Sequence, residues 1–310
     1  MNHANKTAGV KHGEHSPHSS AGKDDIKLFV SDMDGTLLRA DFTISPVNAA
    51  AIKKLENKGI QFVVATGRIY ADAYDICRAS GLNPYIISNN GACIFNQNQE
   101  QIYGRWLPIN LAEKVVRFLK EHNLCHALGT SQKYYVPENW EKLIDLETER
   151  LANGGVVISG ERVQFIKDEM VAQTGYEPVA DLSALLREES SFYSICVLTF
   201  DPEAVAAVQA FVAAQKGLAA FFSSDHSVDI VVLDGSKDVA VAYLAALLQA
   251  DWPQVAAIGD GMNDLAMLKK AGVSIAVQNA RDEIKSVCGY IAREFSADGV
   301  AEAIDYILRK

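Results

Sequence analysis

The chain has 310 residues, 49% of them hydrophobic and 22% charged, with a formal net charge of −10 at pH 7. This length and composition suit a globular protein of about two domains with a sizeable core. The acidic balance excludes non-specific binding to nucleic acid or to an anionic membrane surface, since both reward Lys and Arg, but leaves phosphate esters open because a bound cation can reverse the sign inside a site.

Residues 1–23 are polar and rich in His, Ser, Gly and Lys, and read as a disordered tail. His12, His15 and His18 lie three apart there, but nothing in such a tail would fix a metal ligand set. From Ile26 the pattern alternates: an apolar strand at 26–30, an amphipathic helix at 46–57 closed by Gly59, and a strand at 60–65. A helix at 69–79 ended by Gly81 and a strand at 85–88 follow, so βαβ units predict a parallel sheet with right-handed crossovers.

The runs 92–95 and 101–107, separated by a polar stretch, predict a hairpin. After Pro108 the character changes, with a helix at 111–122, strands near Ala127 and at 134–136, a helix at 138–151, and later strands at 192–200 and 228–233. The doubly wound pattern returns with a helix at 237–248, strands at 255–258 and 273–277, and a helix at 265–271 between them. The expected fold is therefore α/β: a doubly wound parallel sheet from residues 24–106 and 234–310, with an α+β domain inserted at 107–233.

Cys77, Cys93, Cys125, Cys196 and Cys288 are scattered singly, without the paired spacing of a zinc site. They read as free thiols in a reducing compartment. No apolar stretch is long enough to span a bilayer and no secretory signal is visible, so a cytoplasmic location without a membrane partner is expected.

Chemistry concentrates at the predicted strand ends. Asp32-Met33-Asp34-Gly35-Thr36 follows the first strand, and Gly35 lets the chain turn so that both acids project into the crevice where open α/β sheets bind ligands. Two such carboxylates can hold a hard cation such as Mg²⁺, or divide nucleophilic attack and proton transfer between them. Thr66 and Gly67, in Ala65-Thr66-Gly67-Arg68, place a hydroxyl beside a helix-opening N–H, a pair suited to phosphate oxygens or to a plain helix cap.

Lys237 opens a helix against its dipole. That cost suggests another task, and as an exposed residue its loss should lower activity with little loss of stability. Gly259-Asp260-Gly261-Met262-Asn263-Asp264 places two acids and an amide between glycines; Asp264 could cap the next helix, but Asp260 at the strand tip is not explained that way.

Together, DMDGT at 32–36, ATGR at 65–68, NGA at 90–92, Lys237, GDGMND at 259–264 and NA at 279–280 resemble the haloacid dehalogenase superfamily, specifically its Cof-like phosphatases with a large α/β cap. The resemblance runs across residues 25–310. It implies that Asp32 is the nucleophile, forming an aspartyl-phosphate, and that Asp34 is the acid/base. It also implies Mg²⁺ held by the Asp32 carboxylate, the Asp34 backbone carbonyl and Asp260. Thr66, Gly67, Arg68, Asn90, Lys237 and Asn263 would serve the substrate, with Asp264 in support, and the substrate would be a small phosphorylated metabolite.

Two departures from the family pattern bear on substrate details. Asp238 follows Lys237 where relatives usually have glycine, and Val277-Gln278 precedes Asn279-Ala280. Two rival readings share the motifs: a phosphotransferase such as a sugar-phosphate mutase, and a catalytically silent phosphate sensor. The insertion, as a cap, should set specificity, with Tyr134, Tyr135, Trp140 and Tyr193 divided between pocket lining and core packing.

Overall fold

The computed structural model describes residues 26–188, 191–222 and 226–309. The tail expected at 1–23, with its three histidines, lies outside them. The chain begins with β1 (Leu28–Ser31), α1 (Pro46–Glu56), β2 (Gln61–Ala65), α2 (Tyr70–Ala79), β3 (Tyr85–Ser88) and the hairpin β4 (Cys93–Phe95) and β5 (Gln101–Gly104). It continues through α3 (Ile109–Glu121), β6 (Cys125–Gly129), β7 (Tyr134–Pro137), α4 (Trp140–Asn153), α5 (Gly160–Ala172), β8 (Tyr176–Val179) and α6 (Leu182–Glu188). Next come β9 (Ser194–Leu198), α7 (Pro202–Ala213), β10 (Leu218–Phe222) and β11 (Ser227–Val232). The last stretch holds α8 (Lys237–Leu247), β12 (Val255–Gly259), α9 (Leu265–Lys270), β13 (Val273–Val277), α10 (Asp282–Lys285), β14 (Tyr290–Ala292) and α11 (Gly299–Arg309).

The strands form two sheets. The first has eight strands in the order β14-β13-β12-β1-β2-β3-β4-β5, parallel as far as β3, with β4 and β5 added antiparallel. Its central strands are near-continuous apolar runs, Leu-Phe-Val in β1 and Phe-Val-Val in β2, as both faces are covered by helices. From β1 the crossovers run toward β2 and β3, and from β12 they run the other way, toward β13 and β14. The point of reversal lies between β1 and β12, and there an open α/β sheet leaves its ligand crevice.

Local signals set the flanking helices. Ser45 accepts the Asn48 N–H at 3.0 Å and Pro46 starts α1, while α11 buries Val300, Ala303, Ile304 and Ile307 along one stripe.

The second sheet, β10-β11-β9-β6-β7-β8, is built from residues 125–232 and is antiparallel except for the β7–β8 pair. Side chains alternate across it: Ile195, Val197, Val228 and Ile230 pack under α3, α6 and α7, and Cys196 and Leu198 pack on the other face with Trp140, Met170 and Ile69 of the first layer. Asp229, between Val228 and Ile230, therefore points toward the strand ends of the first sheet. Among the described residues no helix is long and apolar enough to cross a membrane.

His126, in β6, is buried with Nδ1 bonded to the Leu124 carbonyl at 2.8 Å, and its Nε2 has no partner among the described residues. Burial pushes its pKa down to about 4. Between the ordinary value of about 6.5 and pH 4 the unfolded chain binds a proton that the folded one refuses. Stability is therefore complete above that range and is lost as the pH falls through it, by up to roughly 3 kcal/mol. Melting curves at pH 7 and pH 4.5 should show this drop, and His126→Asn should flatten it; an unchanged pH dependence in the variant would assign the drop to other groups.

Candidate active site

Asp32 directly follows β1 and Asp260 directly follows the adjacent β12, and the Asp32 N–H bonds to the Ile258 carbonyl at 3.1 Å. Gly35 takes a left-handed φ of 75°, and a Cβ there would lie 2.5 Å from Asp260 Oδ2, so only glycine lets the turn close against the second acid. Thr36 donates to Asp260 Oδ1 at 3.0 Å, and Asn279 donates to the Gly35 carbonyl at 2.8 Å. The turn after β1 is thus held from both later motifs.

Lys237, the first residue of α8, reaches into this cluster with Nζ 2.5 Å from Asp32 Oδ1 and 2.7 Å from Asp264 Oδ1. Its side chain is wholly buried, which overturns the expectation of an exposed helix-start lysine. Asp264 stands at the N-cap position of α9 but makes no side-chain capping bond to it; its Oδ2 accepts the N–H groups of Asp260 at 3.1 Å and Gly261 at 3.0 Å, tying down the loop that follows β12. The charge of Asp238 is directed elsewhere, to the Ser236 hydroxyl and to Lys270, both at 2.6 Å.

Carboxylate oxygens of Asp32, Asp260 and Asp264 all lie within 4.8 Å of one another. Three carboxylates against one ammonium leave a surplus of two negative charges. Burial pushes the Asp32 carboxyl up, and Lys237 pulls against it. Burial, then the Asp264 charge, pushes Asp260 up to about 6. Burial alone would lower the Lys237 ammonium, but Asp264 and Asp32 outweigh it and raise it. Oxygen donors with two uncompensated charges fit a hard divalent cation.

The Asp34 carboxylate is held by Arg68, with Nε 2.8 Å from Oδ2 and Nη2 2.6 Å from Oδ1. Nη1 of Arg68 bonds Asp72 Oδ2 at 2.6 Å, one turn along the chain, and Asp72 Oδ1 accepts the N–H of Thr174, beyond α5, at 2.9 Å. All three guanidinium nitrogens of Arg68 are therefore engaged by carboxylates. Thr66 accepts the Arg68 N–H at 3.1 Å and does not cap α2, which begins after Ile69. Asn90, left-handed at φ 56°, donates to Asp229 Oδ2 at 2.7 Å and accepts from Asn263 at 3.0 Å. At Gly67 a Cβ would stand 3.3 Å from Asn90 Nδ2 and Asp229 Oδ2, so the backbone passes close under the second sheet.

Asp32, Asp34, Gly67, Arg68, Asp260 and Asn263 line one cavity of about 130 Å³. Thr66, Asn90, Lys237 and Asp264 stand behind that lining, joined to it by the bonds just given. The second sheet and α5 close the cavity from above with Tyr134, Ile166, Glu169, Met170, Cys196 and Asp229. Of the four aromatics weighed from sequence, Tyr134 reaches the cavity; Tyr135 packs in the apolar core of the second layer, Trp140 donates to Tyr176 at 2.8 Å, and Tyr193 to Gln101 at 2.9 Å. Sequence reasoning missed Asp72, Glu169 and Asp229. Two of them carry a signal: Asp72 stands four residues after Arg68, and Asp229 is a lone acid in an apolar strand.

Compared with known proteins, the chain matches the family of haloacid dehalogenase-like hydrolases over residues 29–304. It belongs to that family. Among curated relatives of this hydrolase, Phosphatase YwpJ of Bacillus subtilis is 27% identical over 285 residues, covering 91% of this chain and 100% of the relative. The 5-amino-6-(5-phospho-D-ribitylamino)uracil phosphatase YwtE of the same organism is 26% identical over 289 residues, covering 91% and 98%. A solved haloacid dehalogenase-like hydrolase from B. subtilis superposes with a TM-score of 0.80 at 28% identity, covering 91% of this chain and 99% of that one. The doubly wound core of this haloacid dehalogenase-like hydrolase and the Cof-like character expected from its motifs agree with these likenesses.

Proposed function

We propose that this hydrolase is a Mg²⁺-dependent phosphatase of small phosphate monoesters, working through a phosphoryl group carried on Asp32. The observation that carries the reading is the cluster at the switch point: Asp32 paired to a buried lysine, within 4.8 Å of two further carboxylates and facing the cavity beneath the second sheet. An Asp32 oxygen attacks phosphorus, the bond to the leaving oxygen breaks, and Asp34 supplies that oxygen's proton. Asp34 then takes a proton from the water that cleaves the aspartyl-phosphate. Arg68 occupies both Asp34 oxygens, so one of these bonds opens before each proton transfer.

Asp32, Asp260 and the Asp34 backbone carbonyl are the groups that would hold Mg²⁺, which supplies charge neutralisation between carboxylate and phosphate when bound. Lys237, Thr66 and Asn263 serve the phosphoryl oxygens, and Asp264 positions Lys237. Residues 107–233 act as the cap over residues 24–106 and 234–310, excluding water while the phosphoryl group transfers. One relative is named for a phosphorylated ribitylaminouracil, and we extend the class of small phosphorylated metabolite to this chain rather than that compound. Five scattered free cysteines support a cytoplasmic setting.

The test is phosphate release from p-nitrophenyl phosphate. EDTA should abolish it, and added Mg²⁺ should restore it. Full turnover in metal-free buffer removes the metal from the proposal, and transfer to an acceptor without free phosphate replaces the phosphatase with a phosphotransferase.

A further inference from the structure

The cavity above Asp32 is unbalanced in charge. Its floor is compensated: Lys237 answers Asp32 and Asp264, and a divalent cation would answer the rest. Its roof is not. Glu169 of α5 and Asp229 of β11 both line it, and among the described lining residues the single guanidinium, Arg68, already binds Asp34 and Asp72 through all its nitrogens. The other titratable groups in the roof are the Tyr134 phenol, the Cys196 thiol and the His226 imidazole.

Glu169 differs from Asp229 in one respect. Asp229 is buried and accepts from Asn90 at 2.7 Å, whereas Glu169 makes no hydrogen bond or ion pair with any described residue. It also stands where two cavities meet, since it lines both the 130 Å³ space over Asp32 and an outer groove of about 650 Å³. That groove runs past Phe42, Ile44 and Ile76 and carries the further acids Asp41, Asp72 and Asp75, again with Arg68 as its one cation. Arg68, Glu169 and Gln173 line both spaces, so a leaving group that extended from phosphorus into the outer groove would pass beside Glu169.

We propose that Glu169 selects phosphate monoesters whose leaving group carries a protonated amine, and that it does so by forming an ion pair in the cavity beneath the second sheet. This rests on the phosphatase reading above and specifies its substrate class. A carboxylate or a second phosphate in the leaving group would meet the Glu169 carboxylate with the Arg68 guanidinium already engaged by Asp34 and Asp72, and a hydroxyl would gain a hydrogen bond without the charge. Glu169 is partly buried, so the pair is screened less by salt than a fully exposed one.

The experiment uses the full-length protein with Mg²⁺ and three matched series: ω-aminoalkyl, ω-hydroxyalkyl and ω-carboxyalkyl phosphates with chains of two to five carbons. At its best length the amine should exceed the matching alcohol about tenfold in kcat/KM, and the carboxylate by more. In Glu169→Gln the amine-to-alcohol ratio should fall to within about twofold of one, and Glu169→Lys should reverse the order of amine and carboxylate. Circular dichroism verifies folding of both variants, and the wild-type ranking stands without them. A flat ranking, a preference for the carboxylate, or an unchanged ratio in Glu169→Gln would overturn the inference. Failure of p-nitrophenyl phosphate hydrolysis would instead overturn the phosphatase reading itself.

Discussion

Asp32→Asn should lower kcat/KM on p-nitrophenyl phosphate by about four to six orders of magnitude, the loss expected when a covalent nucleophile is removed. The amide keeps the volume of the carboxylate and its oxygen can still accept from Lys237 Nζ, so the packing around β1 is preserved. Stability should move the other way from activity. In the wild type three carboxylates face one ammonium, and the burial that pushes the Asp32 carboxyl up makes its charge costly. Removing that charge should leave the metal-free melting temperature unchanged or higher, while the rise in melting temperature that Mg²⁺ gives the wild type shrinks. Intact-mass measurement during turnover should find a phosphoryl adduct on the wild type and none on the variant. A folded variant that kept more than about a tenth of the wild-type rate would move the nucleophile elsewhere.

The first sheet was legible in the sequence because its strands are covered on both faces and so read as short apolar runs punctuated by glycine. Predicted strand 85–88 and helix start Pro46 coincide with β3 and α1, and the glycines at 59 and 81 do take left-handed backbone. The second layer was only partly legible, for physical reasons that differ by element. In α5 only Ile166 and Met170 are buried while Phe165 is 51% exposed, so no clean helical stripe appears. Helix α7 is apolar nearly all round, which erases the period, and β8 carries a proline that edge strands tolerate and central ones do not.

The site was more legible than the second layer, since its acids stand at strand ends between glycines. What sequence could not supply was pairing across long separations. The bond between Lys237 and Asp32 spans 205 residues, and that between Asn90 and Asp229 spans 139. Arg68 shows the same limit: its place among the expected substrate ligands was readable from its motif, but the sharing of its guanidinium between Asp34 and Asp72 was not.

Lys237 gives the second large effect, and here the structure reverses an expectation. An exposed lysine at a helix start would contribute little to folding, and its loss would show in activity alone. Lys237 is instead wholly buried between Asp32 and Asp264, each itself buried, so Lys237→Met leaves two carboxylates in the interior without a counter-ion. Breaking a buried pair in this way costs about 3–5 kcal/mol, or roughly 10 °C in melting temperature for a domain of this size. Because the pair raises the ammonium's pKa, its stabilisation is complete below the ordinary lysine value of about 10.4 and is lost only in stronger alkali, so the full deficit appears at pH 7. Activity should fall with it, since the phosphoryl oxygens lose their cation. The two losses separate in the double variant Lys237→Met with Asp264→Asn, which removes one of the stranded charges and should recover part of the melting temperature while recovering no turnover. If Lys237→Met alone melted like the wild type, the acids would be discharging by protonation or by cation uptake rather than through the lysine, and melting with and without EDTA would tell these apart.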